Sequence, residues 1–332
     1  MNSTEKDRRP MMVLRVRTAT ELTAEVLSLC RGEPGVAEVA VYPKASTEPP
    51  GDIVVIHAAR ESVGQLLDQL KVLGVPDEGT VTVWTPDLAV GKAVEDAEEA
   101  APGDSADAVI WDELEQRTGS DSRLTWQFLA FLVAATHLAG IGIVTNSSIA
   151  IVGAMVVGPE FGPLAALAYA LVERRWRLAR QAALALLVAF PIAMASVALA
   201  AAVSVPLGLY TPETAKTVDS AVEFIYHPGP YSFIVAVIAG AVGMISLIGN
   251  KSAVLVGVFI SVTTVPAAGY VAVALVLGEQ ARAAGSALQL SLNLAGIVTA
   301  GIVVLLVYRT LTPKGRDIRS AGRPRSGLGR RS

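Results

Sequence analysis

Along the first 86 residues, apolar positions alternate or recur in short stretches, whereas after Leu124 they run almost unbroken for about 20 residues at a time. The early part reads strand (MVLRVRT), helix (ATELTAEVLSLC), turn (RGEPG), strand (VAEVAVYP), Pro-rich loop (KASTEPPGD), strand (IVVIHA), helix (RESVGQLLDQLKVLG) and strand (GTVTVWT). Val13, Val36 to Val41 and Ile53 to Ile56 supply strand alternation, while Leu22, Val26 and Leu29 recur at helical spacing. The order βαββαβ predicts an α+β ferredoxin-like domain over 11–86. Residues 1–10 are polar and are expected to be disordered. An acidic linker with short helices follows over 87–123, where Val109, Ile110 and Leu114 form an apolar face beside Trp111, suited to a membrane surface or a neighbouring domain.

Six windows then meet the length needed to cross a hydrocarbon core: 125–145, 148–172, 178–204, 231–249, 252–277 and 283–308. They predict a polytopic α-helical membrane domain over 124–309, followed by a basic, disordered tail over 310–332. Charge sharpens the division. Residues 1–123 carry 12 Lys+Arg and 23 Asp+Glu, and the remainder carries 15 and 7, so the overall net charge of -3 conceals an acidic front and a basic back. With 52% hydrophobic and only 17% charged residues, the chain is not a single soluble globule. If the amino terminus is cytoplasmic, 14 Lys+Arg fall on the inner side and two, Lys216 and Arg282, on the outer. Both termini are therefore expected in the cytoplasm, and the basic tail reads as a topology signal and anionic-lipid contact rather than a nucleic-acid arm.

The two halves of the membrane region resemble each other. NSSIAIVGAMVVGPEFGPLAALAYALV from Asn146 aligns with NKSAVLVGVFISVTTVPAAGYVAVALV from Asn250 at a shift of 104, with eight identities in 27. Three helices per copy is an odd number, so the second copy enters the membrane from the opposite side: a 3+3 inverted repeat, 125–204 and 231–308, as in many secondary transporters. Each copy interrupts its middle helix, at Gly158, Pro159, Gly162 and Pro163 in the first and at Ser261, Thr263, Thr264 and Pro266 in the second. Proline removes a backbone donor and obstructs the preceding turn, so both helices are expected to kink or unwind there. Glu160 lies within the first interruption, where a carboxylate is costly unless paired, hydrated or protonated. These residues, with Asn146 and Asn250, form the candidate substrate or ion site. His137, Gln289, Ser291 and Asn293 read mainly as helix-packing polar groups.

IVGAMVVGPEFGPLAALAYAL with its arginine-rich loop, SAVLVGVFISVTTVPAAGYVAVAL and a late SLNLAGI resemble domain of unknown function 389, a bacterial and archaeal hydrophobic membrane family, over about residues 120–310. The resemblance implies a multi-pass protein of the bacterial plasma membrane and no particular activity. The front domain, with EPGVAEVAV after its first helix, looks like ACT-type regulatory domains, which pair with one another and bind effectors at a glycine-bearing turn after the first strand. Here that turn is Thr18, Ala19, Thr20, without glycine. The functional expectation is a transporter or channel-like protein for a small solute or ion, assembled as a homo-dimer or trimer and gated through its front domain. The alternative is a non-transporting scaffold or sensor. An enzyme is not expected, since no Ser/His/Asp set, HExxH, GxGxxG or phosphate loop occurs. One cysteine, Cys30, and three scattered histidines predict neither a metal nor a cofactor site.

Overall fold

The computed structural model describes residues 11–101, 111–209, 229–249, 257–258 and 263–311. Two compact units part at 109/110 and at 307/308. In the first, strand β1 (Met11–Thr18) buries every residue but Arg15 and sits inside a four-stranded antiparallel sheet with β2 (Val36–Thr47), β3 (Pro50–Ala59) and β4 (Thr80–Trp84), in the order β2-β3-β1-β4. Helix α1 (Thr23–Gly32) follows β1, and α2 (Arg60–Val72) follows β3. Val63, Leu66, Leu67 and Leu70 are buried on α2 at the i, i+3, i+4, i+7 spacing that turns one stripe of a helix inward. Leu14, Ile56, Leu66 and Leu70 are the largest enclosed side chains of this core. A short α3 (Val75–Glu78) starts from Gly74 at φ 74°, and α4 (Lys92–Ala100) forms from the acidic stretch. Just past α4, Ala101 packs with Met11 and Ala59, so this helix is tethered to the sheet at its end.

The Pro-rich segment 44–52 is not a loop. β2 continues to Thr47 and β3 starts at Pro50, pairing Thr47 with Pro50 and Ser46 with Gly51 across a two-residue connection. Prolines are tolerated because β2 is an edge strand and Pro50 is the first residue of its strand. The register shifts between Tyr42 and Ser46, where Lys44 adopts φ 55°. Asp52 holds this irregularity in place: its carboxylate accepts bonds from the Lys44 N–H (2.8 Å), the Thr23 hydroxyl (2.7 Å) and the Thr20 hydroxyl (3.1 Å). The turn after β1 is thus filled by a carboxylate from the protein's own chain.

Those bonds, the Lys44 amide first and the Thr23 hydroxyl next, hold the Asp52 carboxyl below its ordinary value of 3.8. A lowered folded-state value stabilises above the unfolded-state value and is lost as pH falls through the folded one. Asp52→Asn is therefore expected to lower the melting temperature of the full chain in detergent by a few degrees at pH 7. Thermal melts from pH 7 down to 2.5 should show the difference between parent and variant shrinking below about pH 4. A difference independent of pH would remove the carboxylate from this account.

The second unit is helical throughout its described residues. It comprises α5 (Trp111–Asp121), α6 (Trp126–Val144), α7 (Ser148–Val157), α8 (Phe161–Val172), α9 (Trp176–Ser204), α10 (Pro230–Ile248), α11 (Thr264–Val276) and α12 (Gln280–Leu311). Helix starts follow capping chemistry: the Thr125 hydroxyl accepts the Phe128 N–H at 3.1 Å, and the Ser147 hydroxyl accepts that of Ala150 at 3.3 Å. α6, α9, α10 and α12 are each long and apolar enough to cross a bilayer, and α7 with α8 forms a bent pair at 47° that makes a fifth crossing if taken as one. The chain is a multi-pass membrane protein. The sixth expected span, 252–277, is only partly within the described residues: α11 has 13 residues, about 20 Å of helix, too little to cross by itself. Of the expected apolar face, Val109 and Ile110 lie outside the described residues. Trp111 beside it stacks on Tyr169 of α8 with ring centroids 6.5 Å apart, and Leu114 is buried.

Close backbone approach, rather than large side chains, fixes several crossings. A Cβ built on Gly269 of α11 would lie 3.0 Å from Ala139 Cβ and 3.1 Å from both Gly140 N and Thr136 O of α6. One on Gly240 of α10 would lie 2.7 Å from Ile297 Cα of α12. This is the small-residue packing that brings helices together where lipid offers no hydrophobic driving force between them.

Candidate functional site

Apolar sequence carries the second membrane helix as far as Val157, where its regular hydrogen bonding stops. Gly158 is extended at φ -61°, ψ 126° while its N–H still bonds Ala154 O, and the chain restarts as α8 after Glu160. The interruption spans Gly158 to Glu160, upstream of where Pro163 alone would put it. Pro163 is the third residue of α8 and Pro266 the third of α11, positions at which a missing N–H breaks no helical bond. Pro163 therefore starts the second half-helix rather than kinking a continuous one, and Pro266 lies in the first turn of α11.

Glu160 is nine-tenths buried, at 9% exposure. One carboxylate oxygen accepts the hydroxyl of Thr264, itself fully buried at the first turn of α11. The other, Oε2, is buried and has no hydrogen-bond partner among the described residues. It lies against Gly158, where an added Cβ would strike both Oε2 and, at 2.8 Å, the Val265 side chain. Glycine at 158 therefore leaves room for the carboxylate to fold back over the break.

The polar surface continues from α11 into α12. Thr263 Oγ1 accepts Asn293 Nδ2 at 3.1 Å and Gln289 Nε2 at 3.5 Å, and Gln289 Nε2 also lies 3.4 Å from Asn293 Oδ1. Both amides are 1% exposed, and Gln289 Oε1 is buried without a partner. Glu160, Thr264, Thr263, Gln289 and Asn293 thus form a polar seam inside apolar helices, with two open oxygen acceptors and no cationic side chain bonded to the carboxylate among the described residues. The two amides bond from α12 to the residue that precedes α11, as interhelical polar packing groups do.

Other expected members fall elsewhere. Asn146, at φ 51°, ends α6 and stands at the far end of α7 from the break, so it does not join the site. Gly162 lies in the first turn of α8, beside Pro163. Ser261 and Asn250 lie outside the described residues. His137 bonds back to Val133 O at 2.8 Å, and Ser291 bonds Ala287 O at 2.8 Å, so each serves its own helix. A second polar cluster has no counterpart in the sequence reading: at the far end of α8 from the break, Glu115 of α5 pairs with Arg175 at 2.8 Å and accepts the Tyr169 hydroxyl at 3.4 Å. Among the described residues no group of three or more His, Cys, Asp or Glu is placed to hold a metal ion.

A family model for a domain of unknown function, DUF389, matches residues 155–299. The chain carries a DUF389 domain. Its matched segment starts at Met155, just before the first break, and ends at Thr299 in α12, so Glu160, Thr263, Thr264, Gln289 and Asn293 all lie within the DUF389 region. An uncharacterized protein of Methanocaldococcus jannaschii is 22% identical over 244 residues, covering 74% of this chain and 72% of the archaeal protein. No solved structure matches the chain.

Proposed function

We propose that the protein is a transporter or channel-like protein of the bacterial plasma membrane, passing a small solute or ion at the paired breaks of a six-span, 3+3 inverted repeat. The observation that carries this reading is the bond between Glu160 at the break and Thr264 at the start of α11. A buried carboxylate met by the polar start of another helix resembles the arrangement in which transporters of this plan hold substrates and coupling ions. The repeat is supported by helix ends. Trp126 and Pro230 begin α6 and α10, Val144 and Ile248 end them, Val172 and Val276 end α8 and α11, and Trp176 and Gln280 begin α9 and α12, every pair separated by the 104 residues that separate Glu160 from Thr264. Arg174 and Gly278, another such pair, both take positive φ, 56° and 80°, and close their helices with equivalent bonds: Arg175 N to Ala170 O at 2.8 Å, Glu279 N to Ala274 O at 2.9 Å. The front domain, ferredoxin-like and similar to ACT domains, assembles or gates a homo-oligomer from the cytoplasm. With Asp52 filling the turn after β1, pairing rather than effector binding at that turn is its role.

Cysteine accessibility tests the water path. The native thiol is silent, because burial leaves Cys30 3% exposed and pushes its pKa up to about 11. A membrane-impermeant thiol reagent should modify Thr263→Cys from an aqueous side of sealed vesicles, and should report Ser220→Cys and Ser326→Cys on opposite sides of the membrane. Thr263→Cys left unmodified from either side, in a folded variant without flux in liposomes, would leave the scaffold reading in its place.

A further inference from the structure

We infer that the two halves of the membrane unit are related by an internal two-fold axis passing between Glu160 and Thr264, and that this pair forms a single on-axis site for a monovalent alkali-metal cation. The inference rests on the reading of the paired breaks as the transport site and names the ligand class for it.

A two-fold interface is recognised by reciprocity: if residue i of one half meets j of the other, then j of the first meets i of the second. A stacked or translational repeat has no such exchange. At the shift of 104, the counterparts of Ala168 and Val197 are Ala272 and Gly301. Ala168 lies 3.0 Å from the Cβ position of Gly301, and Val197 clusters with Ala272 and Val273, so the contact occurs in both senses. The helices repeat the exchange. α6 crosses α11 at Gly269, while its counterpart α10 crosses α8, the counterpart of α11, where Gly243 receives the Phe161 ring. Within each half the match holds too: Gly140 receives Val197 Cγ1 at 3.1 Å, and its counterpart Met244 reaches Gly301, the counterpart of Val197, at 2.9 Å. Two residues that are one another's counterparts meet only on the axis, and Glu160 and Thr264 are bonded.

The ligand follows from what the pair leaves unused. One carboxylate supplies one negative charge; the hydroxyl bonded to it is that of Thr264, and the polar groups that continue along the start of α11 and α12 are the Thr263 hydroxyl and the Gln289 and Asn293 amides, all neutral. Glu160 Oε2 and Gln289 Oε1 are buried acceptors without partners among the described residues. Divalent hard cations are usually held by more carboxylate charge or by retained waters, and soft metals need thiolates or imidazoles that are absent from this cluster. A carboxylate also repels anions. Hydroxyl, amide and one carboxylate oxygen together match the charge and hardness of an alkali ion.

The test uses the full chain purified in detergent at fixed pH and ionic strength, melted in NaCl, LiCl or KCl against choline chloride. The parent should gain about 5 °C or more in at least one alkali salt. Glu160→Gln should lose that gain. No alkali-dependent shift in the parent, or a shift retained by Glu160→Gln, overturns the cation site. Disulfide formation reads the axis: in a Cys30→Ser background, Ala168→Cys/Gly301→Cys and Val197→Cys/Ala272→Cys should both cross-link within one chain, and success of one alone overturns it. An alkali shift without flux in liposomes would keep the site and end the transport reading, so the two fail separately.

Discussion

Glu160→Gln is expected to bring flux in liposomes down to the protein-free background, at least a hundredfold below the parent, while the purified variant still melts cooperatively within a few degrees of it. Glutamine preserves the shape of the side chain, and its carbonyl can still accept the Thr264 hydroxyl. It replaces the open Oε2 with an amide that carries protons and no charge, so whatever enters beside that oxygen loses its counter-charge. Glu160→Leu separates this role from a structural one: it strands the buried Thr264 hydroxyl as well, an additional cost of about 1–3 kcal/mol. The paired result, no flux in either variant and a clear loss of melting temperature in the leucine variant alone, distinguishes a working carboxylate from one that merely caps a broken helix. Parental flux in Glu160→Gln would take this residue out of the mechanism.

Gly269→Leu should prevent recovery of monodisperse protein altogether. The Cβ position at Gly269 already touches α6 backbone at Gly140 N and Thr136 O, and backbone has no rotamer by which to give way. Overpacking a well-fitted site costs about 1–3 kcal/mol for one or two methylenes, and leucine adds four carbons where one is too many. Gly269→Ala should be milder, lowering the melting temperature without abolishing folding. Gly153 of α7 is the control, since nothing among the described residues lies within 4 Å of its Cβ position. Gly153→Ala is expected to leave yield and melting temperature unchanged, by size-exclusion chromatography and thermal melts alike. Equal damage at 153 and 269 would contradict the packing assigned to α6 and α11.

What could be read without coordinates divides by range of interaction. The periodicities of α2 and β1 are local, and both elements stand where the pattern puts them. The long apolar helices announce themselves by length, and the first interruption by Gly158, Pro159 and Pro163. Segment 44–52 was misread because proline signals a loop only when strand position is unknown, and the edge location of β2 is a tertiary fact. Pro163 drew attention to a kink, yet the break lies at Gly158 to Glu160, since a proline in the first helical turn disrupts nothing. The seam of Thr263, Gln289 and Asn293 depends on α12 crossing the start of α11, and no spacing within either helix specifies that. For the same reason Glu115 gave no sign of its partners, Tyr169 and Arg175, 54 and 60 residues downstream.

Helices α9 and α12 have 29 and 32 residues, or about 44 and 48 Å of length against a hydrocarbon core of about 30 Å. Even at a tilt of about 40° they would span roughly 33 and 37 Å, so their ends emerge into the headgroup layer. The sequence provides for it: Arg177 and Arg180 sit in the first turns of α9, and Arg282 and Arg309 near the two ends of α12, where long side chains can reach phosphates. Hydrophobic mismatch is therefore built into both helices. Thinner or thicker lipids will reset the tilt of α9 and α12, and acyl-chain length in a reconstituted bilayer becomes a mechanical input to the protein.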